Sequence, residues 1–155
     1  MTKVIHPVAG ALAMLTIATF WLSTALSELF APRAVVVAVK TAVPWGLLVL
    51  VPALAAASGS GLALAKGRRV GLVNTKLKRM PFIAANGLPV LVPSALFLAF
   101  KARSGQFDLT FYLAQAIELA AGATNLTLLG LNMRDGLKIN GRLRRPRRAQ
   151  PAPAK

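Results

Sequence analysis

The chain has no cysteine, one histidine and four acidic residues among 155. The lack of cysteine excludes disulfides, thiolate metal sites and cysteine nucleophiles. A single histidine rules out a bis-histidine site within one chain, and it has no acid beside it to make a zinc or di-iron site. No nucleophile elbow, no phosphate-cradling glycine loop and no carboxylate pair at glycosidase spacing is present. The stretch Ser58, Gly59, Ser60, Gly61 lacks the Lys-Ser/Thr that would follow in a phosphate loop, so it reads as a helix terminator.

Charge is also missing from long runs. Pro7 to Ser27, Thr41 to Ala65 and Met80 to Phe100 carry none, and Leu109 to Met133 carries only Glu118. Crossing a hydrocarbon core of ~30 Å takes ~20 helical residues at ~1.5 Å each, and each run is long enough. A soluble protein of this size could not bury four such runs. With 55% hydrophobic residues and a mean hydropathy of +0.60, the composition agrees. The expected fold is an all-α integral membrane protein. Its four-transmembrane-helix bundle comprises two antiparallel hairpins, with helices over about 7–30, 34–57, 81–101 and 109–133, followed by a disordered basic tail over 136–155. Pro44 and Pro52 should kink the second helix, and Pro89 and Pro93 the third.

What is abundant is positive charge, +15 net. Lys3, the six basic residues of the 66–79 loop (among them Arg68, Arg69, Lys76, Lys78 and Arg79) and the eight of the tail (among them Arg144, Arg145, Arg147 and Arg148) fall on one side of four spans, 15 of the 19 in all. Only Arg33, Lys101 and Arg103 fall on the other, with Lys40 just inside a helix. The positive-inside rule then puts both termini in the cytoplasm. An odd number of spans would split the two basic clusters. Lys3, the first apolar run and the small residues Ala25 and Ser27 also resemble a secretory signal peptide. The 21-residue uncharged run, with Phe20 and Trp21 inside it, favours a retained helix. Beside a membrane the basic groups suit anionic headgroups better than nucleic acid. The alanine- and arginine-rich usage suits the inner membrane of a high-GC bacterium.

Polar residues inside the spans are the candidate site. In the fourth helix Tyr112, Gln115, Glu118, Gly122, Asn125, Leu129 and Asn132 recur at steps of three and four, one helical face. In the first helix Gly10, Ala13, Thr16, Thr19, Ser23 and Ser27 form a softer counterpart. The two faces should meet at the bundle centre near Asn86, as a packing seam or as a path for a ligand or proton. Glu118 lies ~14 Å down its helix and Lys40 ~9 Å down its own, so the lysine stem can bridge the difference. Intramembrane ionisable groups are functional candidates by default. His6 at the inner mouth of the first helix, with Met80 or Met133 at similar depth, makes an axial pair of the type that can hold haem b.

Three functions follow. The leading expectation is a non-enzymatic accessory or scaffold component that packs with itself, as a homodimer, or with a larger membrane complex, and that needs no cofactor. The alternatives are a small proton-coupled carrier using Glu118 and Lys40, and a haem b or quinone electron-transfer subunit using His6.

Overall fold

The computed structural model of the chain describes residues 2–64 and 71–139. Among these it is all-helical: α1 (Thr2–Phe30), α2 (Arg33–Leu64), α3 (Leu72–Asn86), a π-helical turn (Gly87–Leu91), α4 (Val92–Arg103) and α5 (Leu109–Ile139). The π turn joins α3 and α4 into one rod and contains Pro89. Proline has no N–H to give its preceding turn, and a widened turn absorbs that loss. Three helices are long and apolar enough to cross a membrane: α1, α2 and the α3–α4 rod. Helix α5 is as long, but its buried polar stripe dilutes its hydropathy. Large apolar side chains such as Trp45, Leu48, Phe82, Phe100 and Leu113 lie exposed on the outer surface. That surface suits a multi-pass membrane protein.

The rods run further than the sequence suggests. Helix α1 begins before Pro7, and α2 continues through Ser58–Gly61, where Ser60 Oγ donates back to the Ala56 and Ala57 carbonyls at 2.5 and 3.2 Å. Helix α3 begins at Leu72, nine residues ahead of the expected start at Pro81, because Lys76, Leu77, Lys78 and Arg79 are good helix formers. Most of the expected inner loop is therefore helix. Helix α5 likewise continues past Met133 to Ile139. The remainder of the expected tail lies outside the described residues.

Helices α1 and α2 form a hairpin closed at Pro32, whose carbonyl accepts from the Val35 and Val36 N–H groups at 2.9 and 3.4 Å. Among the described residues their contact is the most extensive. Gly46 sets its closeness, since a Cβ there would collide with the Phe20 ring. Helices α4 and α5 form the second hairpin. Gly105, at φ +66°, takes the left-handed conformation that ends α4, and its N–H donates to Ala102 O at 3.1 Å. Asp108 then caps α5, accepting from the Phe111 N–H at 3.0 Å and the Thr110 hydroxyl at 2.6 Å, with Lys101 Nζ 2.6 Å away. Helix α1 neighbours α2 and α5, and the α3–α4 rod neighbours α2 and α5. Two apolar clusters fill the interior. Ala13, Ile17, Leu50 and Ala53 occupy one level; Val36, Leu98, Ala102 and Phe111 occupy another, near the Pro32 and Gly105 turns.

Candidate functional site

Between these two clusters lies a layer of charge. Lys40 stands one turn below Val36 on α2 and Glu118 two turns below Phe111 on α5, so the apolar levels seal the layer above and below. Lys40 is 1% exposed and its Nζ donates to Glu118 Oε2 at 2.5 Å. Glu28 of α1 lies within coulombic range of both. It was not singled out from the sequence, because its place near a helix end looks like a solvated rim. Gln115, one turn above Glu118, is 5% exposed, and neither atom of its amide has a hydrogen-bond partner among the described residues. Glu28 Oε1 is likewise buried and unpartnered there. A cavity of about 50 Å³ abuts Glu118, with Thr24, Trp21 and Gly122 in its otherwise apolar wall.

Two turns beyond Glu118 on α5, Asn125 is fully buried. Asn86 Nδ2 donates to Asn125 Oδ1 at 3.0 Å and to Ala121 O at 2.7 Å, and Asn125 Nδ2 donates to Ile83 O at 3.4 Å. Trp21 Nε1 donates to Leu119 O at 2.9 Å, its ring lying over Gly122. Of the α5 stripe, Gln115, Gly122, Asn125 and Asn132 face inward, whereas Tyr112 is 49% exposed. The inward face of α1 agrees with the expected one at Ala13 and Ser27 and departs from it elsewhere. Ala9, Ala13, Ile17, Thr24 and Ser27 are buried, while the Thr16 and Thr19 hydroxyls bond the carbonyls of Leu12 and Leu15. A hydroxyl satisfied by its own helix has no need of a neighbour.

At the other end, His6 Nδ1–H donates to Ala57 O at 3.0 Å, which fixes the tautomer because a carbonyl only accepts. Ser60 Oγ is 3.3 Å from the same nitrogen, and both His6 and Met80 border Gly61. Met133 lies on α5, partly exposed. An open groove of about 460 Å³, lined by Met80 and by Ser58, Leu62, Asn74 and Leu77, is bordered by neither His6 nor Met133.

Here too is a second ion pair. Asp135 is 1% exposed and accepts from Arg79 at 2.8 Å and from Arg134 at 3.4 Å, while Arg79 also reaches Asn132 at 3.4 Å. Burial works to raise the Asp135 carboxyl, but the two guanidinium groups outweigh it and hold it below the usual carboxylate value. Arg79 is thus engaged within the bundle and not simply available to headgroups. Lys78 is exposed, and Lys76 lies against Gly136. Arg68, Arg69, Arg144, Arg145, Arg147 and Arg148 lie outside the described residues. Comparison with family models, with curated proteins and with solved structures gave no match.

Proposed function

We propose that the chain is a non-enzymatic component of a bacterial inner-membrane assembly, acting by packing helix against helix with a second copy or a membrane partner. In this reading it spans the bilayer four times, both termini are cytoplasmic, and exposed basic residues such as Lys78 rest on anionic headgroups. The fourth span is α5: its polar stripe turns inward, so lipid meets Leu113 and Ile117. The 15-to-3 division of basic residues supports the orientation.

The observation that carries the reading is that the interior polar groups largely satisfy one another across helices. Lys40 pairs with Glu118, Asn86 with Asn125, Trp21 with the α5 backbone and Arg79 with Asp135. The cavity beside Glu118, at about 50 Å³, suits water and is far below the ~300 Å³ at which ligand pockets begin. A proton-coupled carrier using Lys40 and Glu118 is the second reading, favoured by the burial of that pair; the small cavity argues for the first. The outward face of α5 adds support. Ala116, Ala120 and Thr124 lie exposed at four-residue spacing, which lets another helix approach closely.

The cysteine-free chain makes the test clean. Single cysteines at Ala116, Ala120 and Thr124, carrying a photoreactive thiol reagent in native membranes, should capture a second copy or a partner, while one at Val49 should not. Native mass spectrometry should give a species heavier than one chain. A lone chain with a flat cross-linking profile would defeat the proposal. For topology, a cysteine at Arg103 should label in intact cells and one at Lys138 only after permeabilisation.

A further inference from the structure

We propose that the groove between α2 and α3 binds one anionic phospholipid, with an acyl chain along the groove and the phosphate at Lys78. The site deepens the reading of the chain as a membrane component and rests on its four-span part. Among the described residues, α4 packs on both α2 and α5, whereas α3, on the other side of the π turn, packs on α5 and has little contact with α2. The parting leaves an open groove of about 460 Å³, with Ser58 and Leu62 on one wall and Leu77, Met80, Pro81 and Ala84 on the other. Leu62, Pro81 and Ala84 are exposed, so the groove opens sideways to the surrounding lipid. Its walls are mostly carbon, which hydrocarbon wets at less cost than water does.

The dimensions choose an acyl chain over a helix. Asn74 and Ala84, at the two ends of the α3 wall, are ten residues apart, ~15 Å along a helix, which gives the groove a mean cross-section of roughly 30 Å². A second helix, ~10–12 Å across, needs about three times that. The charge at the mouth then chooses the headgroup. Lys78 is exposed and shares a helical face with Asn74 and Pro81, at spacings of four and three, so it flanks the groove. Side chains on a helix lean toward its N-terminus, and the long stem carries the ammonium to the Asn74 end. Helix α3 begins at that end with no side chain capping its first turn, which adds the positive pole of its dipole. Of the four acids in the chain, only Asp135 lies at this end of the bundle, and Arg79 and Arg134 hold it. No acid offsets Lys78.

The test uses phosphatidylglycerol with a diazirine midway along one acyl chain, as a minor component of phosphatidylcholine nanodiscs that hold the unaltered protein. After irradiation, mass spectrometry locates the adducts. They should concentrate on Leu62, Leu77, Met80 and Ala84 over Leu48 and Leu113, which are exposed on other faces. The same diazirine carried on phosphatidylcholine should label the groove about fivefold less, the factor to which ~1 kcal/mol for one basic residue near an anionic surface amounts. Lys78→Gln should erase that preference, while Lys138→Gln, also exposed at that end, should keep it. Even labelling of all lipid-facing helices, or equal labelling of the groove by the two lipids, would overturn the proposal. So would a groove free of adducts while Leu48 and Leu113 are labelled, which would mean that a second copy or a partner helix covers it. The readout lies on α2 and α3, so a lone chain with a flat cross-linking profile on α5 would end the assembly proposal and leave this site standing.

Discussion

Replacing Lys40 with Met keeps the length of the side chain but strands Glu118 in a layer sealed by apolar clusters on both sides. Breaking a buried ion pair by removing one partner typically costs ~3–5 kcal/mol, whereas removing both is often close to neutral. For a chain of this size each kcal/mol lowers the melting midpoint by ~2–4 °C, so Lys40→Met should melt roughly 6–20 °C earlier. Glu118→Gln leaves an ammonium that still has Glu28 nearby, and its cost should be smaller. The double variant should be milder than Lys40→Met alone. The assay is thermal unfolding followed by circular dichroism in one fixed detergent, across the full double-mutant cycle. Strictly additive costs would refute the pairing as an energetic contact, and a double variant less stable than Lys40→Met would refute the argument from burial.

Other outcomes follow from single contacts. Gly46→Ala should destabilise the α1–α2 hairpin by ~1–3 kcal/mol through overpacking against Phe20, and Phe20→Leu in the same chain should recover part of the loss in the same melting assay. Asn125→Leu should cost ~1–2 kcal/mol and leave the Asn86 amide only its bond to Ala121 O, seen as faster side-chain amide exchange by NMR; unchanged Asn86 exchange would count against the bond. The Asp108 carboxyl is held well below its usual value, chiefly by Lys101, then by Thr110 and the Phe111 N–H. A depressed acid stabilises above its unfolded value, ~3.9, and that contribution is lost as pH falls through the lower folded value. Phe111 amide protection should therefore be constant from neutral pH to about 4 and decline only in stronger acid. A decline beginning near pH 6 would contradict the cap.

The sequence carries the α5 stripe well, because polar residues in a span recur at helical spacing only when one face is sheltered. It also brings Lys40 and Glu118 together, since depth along two helices that start at the same end of the bundle is arithmetic and a lysine stem tolerates an error of a turn. The face of α1 is harder to read. Threonine and serine look alike whether they bond a neighbour or their own preceding turn, and Thr16 and Thr19 do the latter. Glu28 and Asp135 stay hidden for a related reason. Each sits near a helix end, where solvation is the ordinary state, and only the assembled bundle shows that neighbouring helices cover them. The helix limit at Ser58–Gly61 misleads because glycine and serine break helices in water, while a hydrocarbon core penalises any unpaired backbone group and prolongs the helix. The limit at Pro81 misleads because the helix formers Lys76 to Arg79 start α3 earlier. The functions weighed from the sequence rest on the same few side chains, and no resemblance to another protein ranks them.

Trp21 and Asn86 do not grip α5 by its side chains. They donate to the main-chain oxygens of Leu119 and Ala121, using the second lone pair that a helical carbonyl keeps after serving its own ladder. A carbonyl is the same in every amino acid, so these two attachment points survive any substitution at 119 or 121 that fits the space. The burden of identity falls on the donors, and on Gly122, which leaves room for the indole. Sequence drift at this seam should thus be lopsided, free at the acceptor positions and restricted at Trp21, Asn86 and Gly122. A saturation library scored for membrane accumulation would display that asymmetry directly, in a part of the chain where hydropathy alone would rank all five positions by how greasy they are.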